Sequence, residues 1–399
     1  MFTKQNKIER LITEFCPNGV EFKELGELIN ILDSQRRPVT REKREIGEVP
    51  YYGANGIQSY VKDYIFDGTF LLMGEDGSVI NKDGFPVLNW VSGKIWVNNH
   101  AHILGEIKDK ALLRFIYFCL QKTDVTKLVR GTPPKLNQQS LRSIKIPVPP
   151  LQIQEEIVKI LDNFTELEAE LEAELEARRK QYENYREELL TFGIDIKFSE
   201  LGKVANYVRG VTYGKDDEIQ SSDGWRILRS NNISLSSNTI NFDNVKVISK
   251  TARVRDNQKL KSGDIFISAA SGSKAHVGKV AYIKDDIDYY FGGFMAVIRT
   301  DESVNSRFLF HLLVGNQFSR YLENNLTSTT INNLSASIIN AFKIPIPSIN
   351  EQKRIVLILD KFDALVNDIS IGLPAELKAR RQQYEYYRNK LLTFKEYVG

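Results

Sequence analysis

The sequence predicts an α+β protein: two mixed α/β domains separated by a long antiparallel two-helix coiled coil, with an internal pseudo-two-fold repeat. Three observations lead there. The segment from Ala177 to Phe192 returns as the segment from Ala379 to Phe394, most positions identical. Shorter matches extend the duplication. Glu24-Leu25-Gly26 recurs as Glu200-Leu201-Gly202, and Lys145-Ile146-Pro147-Val148-Pro149 recurs as Lys343-Ile344-Pro345-Ile346-Pro347. Each copy also ends in a heptad pattern, the mark of a coiled-coil seam. A chain built of two like units is suited to a two-part target or to two copies of one partner.

Taken in order, the expected segments are a mixed domain (1–148), a long helix (149–193), a second mixed domain (194–347) and a second long helix (348–399). In the first mixed domain, Tyr64-Ile65-Phe66 and Thr69 to Met73 flank Asp67-Gly68, a tight-turn signal. Lys94 to Val97 and His102 to Leu104 likewise flank Asn98-Asn99. In the second, Asp264 to Ser268 and Lys279 to Ile283 bracket a Gly/Ser loop. Each domain closes with an apolar helical segment, around 111–121 and 306–322.

The first long helix carries its seam on Ile157, Leu161, Phe164, Glu168, Leu171, Leu175, Arg178, Tyr182, Tyr185, Leu189 and Phe192. The second starts in phase with Ile355, Leu359, Phe362, Val366, Ile369 and Leu373. It finishes out of phase on Leu377, Arg380, Tyr384, Tyr387, Leu391 and Phe394. Four extra residues join the halves, and Gly372 and Pro374 sit there, so a kink is expected near 371–375. One helix leads from the first domain to the second and the other must return, so the pair is antiparallel. At about 1.5 Å per residue, about 40 residues span roughly 60 Å. The first helix is strongly acidic and the second weakly basic, which favours their pairing.

Composition limits the function classes. The formal charge is only +3, so net charge alone reveals no partner. Cys16 and Cys119 are the two cysteines. They offer no metal-ligand spacing, a disulfide is not expected, and a reducing cytoplasm fits. No apolar stretch is long enough for a membrane span. Among catalytic motifs there is no P-loop and no Gly-rich cofactor loop. Thr132-Pro133-Pro134-Lys135 lacks the leading amide or acid, and the aromatic, of an amino-methyltransferase tetrad. His100, His102, His276 and His311 form no triad or metal cluster in sequence, and His102 reads as structural. Glu75-Asp76 lies between two glycines and reads as a turn. No catalytic or metal-binding residue is assigned.

The basic loops carry more information. Arg36, Arg37, Arg41, Lys43 and Arg44 crowd one loop, followed by Tyr52 and Asn55; Arg130 lies further on. Arginine grips phosphate or the guanine edge, and asparagine pairs with adenine. The second domain has Tyr213, Lys215, Arg226, Arg229, Asn231 and Asn232. Its Ser271-Gly272-Ser273-Lys274 loop has the hydroxyls and cation for a phosphate. Thr327-Ser328-Thr329-Thr330 precedes the second Pro-rich stop and is a weaker candidate for backbone contact. The duplicated helix ends repeat Arg178, Arg179, Tyr182 and Arg186 as Arg380, Arg381, Tyr384 and Arg388. The tyrosines belong to the seam. The repeated polar pattern exceeds what a seam requires and suits a partner docking at two related places.

The chain resembles the specificity subunit of type I restriction–modification systems. The likeness rests on the Ile-Pro-x-Pro start of each helix (Ile146 to Gln154, Ile344 to Gln352) and on the Gln-Tyr-x-x-Tyr-Arg-x-x-Leu-Leu finish. Arg37-Pro38, the run from Tyr51 to Gly56 and Glu75-Asp76-Gly77 resemble one recurrent class of target-recognition domain. The resemblance implies a non-catalytic subunit whose two target-recognition domains each read half of a split, asymmetric site in double-stranded DNA. Two modification subunits would dock on the helices, and restriction subunits would join them. S-adenosylmethionine, ATP and magnesium are expected only in those partners. Two other readings compete: a coiled-coil scaffold with two protein-binding domains, and a nuclease or methyltransferase with its own reader. The basic loops argue against the first, and the lack of a strand-borne catalytic constellation argues against the second.

Overall fold

The computed structural model describes residues 7–234, 237–271, 276–326, 332–368 and 371–397. Ser273 and Lys274, Thr327 to Thr330, and the seam position Ile369 lie outside the described residues. The chain forms two compact units. One joins Met1–Glu170 to Lys378–Gly399; the other is Leu171–Leu377. Each unit therefore contains one mixed region and a piece of each long helical stretch.

In the first unit a six-stranded sheet runs in the order Ile29–Ile31, Ala101–Glu106, Phe66–Gly74, Leu88–Val97, Ile46–Gly53, Gly56–Val61. All neighbours are antiparallel except Ile46–Gly53 beside Leu88–Val97. Neither expected hairpin forms. Asp67 and Gly68 lie inside a strand and pair with Lys94 and Gly93. Both Gly68 and Gly93 take a positive φ, 147° and 82°, so the two strands bend at this pair without ending. Asn98-Asn99 links two strands that are separated by Phe66–Gly74, so it is a crossover and not a hairpin. A separate ribbon pairs Glu21–Glu24 with Lys145–Val148. The apolar helix Leu113–Leu120 buries Phe115, Ile116 and Phe118.

The helix Leu151–Leu189 is 39 residues long. In the first unit its Ile153, Ile157 and Leu161 share a core with Leu391 and Leu392. Phe164 stacks on Tyr387 at 5.4 Å and lies 6.3 Å from Tyr384. Further along, Glu168 meets Arg381 at 2.6 Å. Rising numbers on one segment meet falling numbers on the other.

The second unit has a four-stranded sheet in the order Ala205–Arg209, Met295–Thr300, Ile265–Ser268, Val280–Tyr282, and a three-stranded sheet of Lys246–Ile248, Trp225–Leu228 and Tyr290–Phe291. Its ribbon pairs Lys343–Pro345 with Phe198–Glu200, and Lys343 stands opposite Glu200 as Lys145 stands opposite Glu24. The expected helix near 306–322 is two helices, Ser306–Val314 and Asn316–Asn325, parted at Gly315. Tyr182 and Tyr185 stack on Phe362 at 6.3 and 5.1 Å. The returning stretch is also two helices, Ile349–Asn367 and Leu373–Leu391. Gly372 belongs to the gap because a Cβ there would stand 2.4 Å from the Ala364 carbonyl oxygen.

Buried glutamines fix each mixed region to its helix. Gln154 accepts from the Leu112 N–H at 2.9 Å and donates to the Pro149 carbonyl at 2.8 Å. Gln352 accepts from the Asn305 N–H at 2.8 Å and donates to the carbonyls of Pro347 and Ser303 at 2.9 and 3.0 Å. Both side chains are wholly buried, where a polar group must be hydrogen-bonded. This is why glutamine follows the Ile-Pro-x-Pro signal in both copies.

Candidate nucleic-acid interface

In the second unit, separate chain segments converge on a cleft of about 980 Å³. Its lining includes Tyr213, Lys215, Arg229, Asn231 and Ser271, five of the residues singled out in the sequence, together with Arg209, Phe294 and Asn333. The backbone behind the lining residue Gly292 is tight: a Cβ on Gly210 would stand 2.2 Å from the Gly292 carbonyl oxygen. Arg229 donates from Nη2 to the Asn244 carbonyl at 2.9 Å, while its buried Nε has no partner among the described residues. Lys215 is exposed and makes no ion pair among them. The lining carboxylate Glu218 is already paired with Lys246. Burial lifts the Tyr213 phenol above its ordinary value, so it remains a neutral hydrogen-bond donor. The cleft is cationic, offers amide and phenol groups, and has an apolar ring at its mouth. Arg209 and Phe294 carry no motif, and sequence inspection missed them.

Two candidates of this unit lie elsewhere. Asn232 is fully buried; its amide accepts from the Arg229 N–H and donates to the carbonyls of Asn241 and Asp243. It shapes the loop from inside. Arg226 is ion-paired with Asp288 at 2.6 Å and lies over the Tyr289 ring.

In the first unit the basic loop divides. Arg37, Arg41 and Lys43 are exposed and make no ion pair among the described residues. Arg36 points inward. It pairs with Glu75 and donates to the carbonyls of Asp33 and Ala101, both at 2.9 Å. Arg44 donates to the Val39 carbonyl and the Ser59 hydroxyl, both at 3.0 Å, and covers the Tyr51 ring. Asn55 is exposed in the turn after Ile46–Gly53, Tyr52 is half-buried, and Arg130 is exposed.

Glu75 is more than a turn residue. With Asp33 and buried His102 it forms a group whose ligand atoms lie within 4.8 Å of one another. Burial pushes the Asp33 carboxyl up, but the His102 hydrogen bond and charge, the Ile103 N–H and the Arg36 charge together hold it below its ordinary value. Arg36 and Lys135 already compensate the carboxylates, so the cluster is an internal ionic lock. Asp76 is paired with His100.

The repeated helix residues also divide. Tyr182 and Arg186 are buried, with the Arg186 guanidinium over the Tyr182 ring, so they are interior groups and present no docking surface. Tyr384 is half-buried, donates to Gln121 Oε1 at 3.1 Å and lies under Arg388. Arg178 pairs along its own helix with Glu174 at 2.7 Å, Arg380 reaches Gln383, and Arg381 meets Glu168. Arg179 has no ion pair among the described residues.

The family model described as type I restriction modification DNA specificity domain matches residues 17–177 and again 194–379. The chain belongs to the type I restriction–modification DNA specificity family. It carries two copies of the specificity domain, one in each half of the chain. In this family the subunit confers specificity without catalysis, and the catalytic activities lie in other subunits. A putative type I restriction enzyme specificity subunit of Haemophilus influenzae is 37% identical, over 94% of this chain and 96% of its own length. A type I restriction enzyme specificity subunit of Escherichia coli is 29% identical, over 94% of each chain. The fold is that of the crystal structure of a type I system S subunit from Mycoplasma genitalium. That match has a TM-score of 0.58 and 15% identity, and covers 94% of this chain and 96% of that one. No described helix is long and apolar enough to cross a membrane.

Proposed function

We propose that this specificity subunit reads one half of a split, asymmetric site in double-stranded DNA with each mixed region, from the major groove. The observation that carries this is the cationic cleft of the second unit, where Arg209, Lys215 and Arg229 meet Tyr213 and Asn231. Arginine and lysine neutralise phosphates, and asparagine supplies a paired donor and acceptor for a base edge. In the first unit Arg37, Arg41, Lys43, Asn55 and Arg130 are the outward-facing set. Arg36, Arg44 and Asn232 position loops from within, and Arg226 is held at the surface by Asp288.

The two long helical stretches act as an antiparallel coiled coil, related by a pseudo-two-fold repeat, that sets the gap between the half-sites. Arg178, Arg179, Arg380 and Arg381 are the helix residues proposed to meet two modification subunits. Restriction subunits complete the assembly, and S-adenosylmethionine, ATP and magnesium belong to those partners. The setting is the cytoplasm. The working boundaries are 1–148, 149–193, 194–347 and 348–399.

The test is base-resolution mapping of methylated adenines in cells carrying this chain with its modification partner. It is repeated for Lys215→Ala with Arg229→Ala, and for Arg37→Ala with Arg41→Ala. Each pair is expected to lower methylation at least tenfold and to flatten the salt dependence of DNA binding. Unchanged methylation in both would refute the reading.

A further inference from the structure

The exposed ring of Phe294 stands out in this cleft. It is 70% exposed, although its neighbours Phe291 and Met295 are buried. Its backbone is fixed. The Phe294 carbonyl accepts from the N–H groups of Ala269 and Ala270 at 2.9 and 3.0 Å. Gly292 donates to Leu228 at 3.0 Å and accepts from Met295 at 2.7 Å. The turn thus holds an apolar ring in water at the edge of a cleft lined by Arg229, Tyr213 and Asn231. Leaving such a ring exposed forgoes the stabilisation that burial would bring. The ring can accept no phosphate and makes no hydrogen bond with a base. In the major groove the apolar feature of a base edge is the thymine 5-methyl group.

We infer that Phe294 is a specificity-determining residue that reads the methyl group of one thymine in the half-site of the second unit. The inference rests on the proposed DNA-reading role of this cleft and adds the base class to it. Arg229 and Asn231 set the register beside it, and the rigid turn keeps the ring from retreating.

The test uses the full chain in complex with its modification partner, and duplexes carrying the mapped site. Each thymine of the half-site affected by Arg229→Ala is replaced singly by deoxyuridine, which lacks only the methyl group. The unaltered complex is expected to bind about fourfold more weakly at one such position, the factor that one buried methyl commands. Phe294→Ala is expected to remove that discrimination while leaving the other positions unchanged. Phe294→Leu is expected to keep part of it. The ring lies outside the core, so both variants should unfold as the parent does.

The inference is overturned if no thymine in the half-site shows the methyl effect, if Phe294→Ala still distinguishes thymine from deoxyuridine, or if its loss is the same on every duplex. If Lys215→Ala and Arg229→Ala leave binding intact, the reading of the cleft itself fails and this inference falls with it.

Discussion

The first unit holds Arg114 against one helix carboxylate, Asp162, whereas the second holds Arg307 against two, Asp360 and Asp363. The tyrosine of the joint differs in the same sense. In the first unit Tyr384 donates to Gln121; in the second the Tyr182 hydroxyl faces the ring of His311, whose Nε2 lies 2.9 Å from Asp360. The charged stitch runs the other way: the first unit pairs Glu168 with Arg381, whereas the repeat places buried Val366 and Arg179 at those positions in the second, where no such pair can form. Yet the buried glutamine and the packing of Phe164 or Phe362 against paired tyrosines are common to both. Packing and the buried amide hold the joint, while the ionic contacts are free to vary around it.

The largest effect should come from the glutamines. Gln352→Ala leaves one N–H and two carbonyls without partners and is expected to destabilise its unit by about 3 kcal/mol or more. Gln154→Ala strips two groups and should cost about 2 kcal/mol. Amide exchange resolved by unit would check the order, and equal effects would break the comparison. Next, Arg307→Met should cost about 2 kcal/mol, discounted for the partly exposed Asp360, and Arg114→Met about 1 kcal/mol. Urea unfolding of both variants measures the difference.

The third prediction concerns pH. Burial pushes the His311 imidazole below its ordinary value, with the Asp360 hydrogen bond opposing. The unfolded chain takes up that proton below about pH 6.5. Stability of the second unit should therefore decline as pH falls below that point, by at most about 1.4 kcal/mol per pH unit, until the lowered folded value is reached. His311→Asn should flatten this segment of the stability curve. For Asp360, burial pushes the carboxyl up, but the His311 hydrogen bond and the Arg307 charge outweigh it and hold it below its ordinary value. Its contribution is lost only at lower pH, as the carboxylate range is crossed. Tyr384 with Gln121 has no group that titrates near neutrality, so a similar slope arising there would contradict the contrast. The smallest effect is that of Arg381→Ala, about 0.5 kcal/mol or less, because the pair with Glu168 is exposed and screened. A loss above 1 kcal/mol in thermal unfolding would overturn it.

Much of this was legible in the chain because it is written locally. The helix starts, the seam tyrosines and the ribbon residues Glu24 and Glu200 follow from short repeated words. The long-range pairings were not. Asp67-Gly68 reads as a turn until Gly93 is known to face it. The inward swing of Arg36 depends on Glu75, which is distant in sequence. The cleft draws Arg209, Arg229, Ser271 and Phe294 from separate strands and turns, and no spacing rule joins them. Arg186 looked like helix surface because the repeat carries it, but it is buried over the Tyr182 ring, which packs on Phe362 and His311, residues the motif does not contain.

The two glutamines have a consequence for how such proteins diversify. Gln352 secures the region before it by grasping main-chain atoms of Pro347, Ser303 and Asn305, and Gln154 does the same with Leu112 and Pro149. A clasp that recognises only peptide groups is indifferent to side-chain identity. It acts as a universal socket, so recombination at the proline-rich boundary can install an unfamiliar head without redesigning the joint, and new DNA specificities can arise by exchange of whole modules.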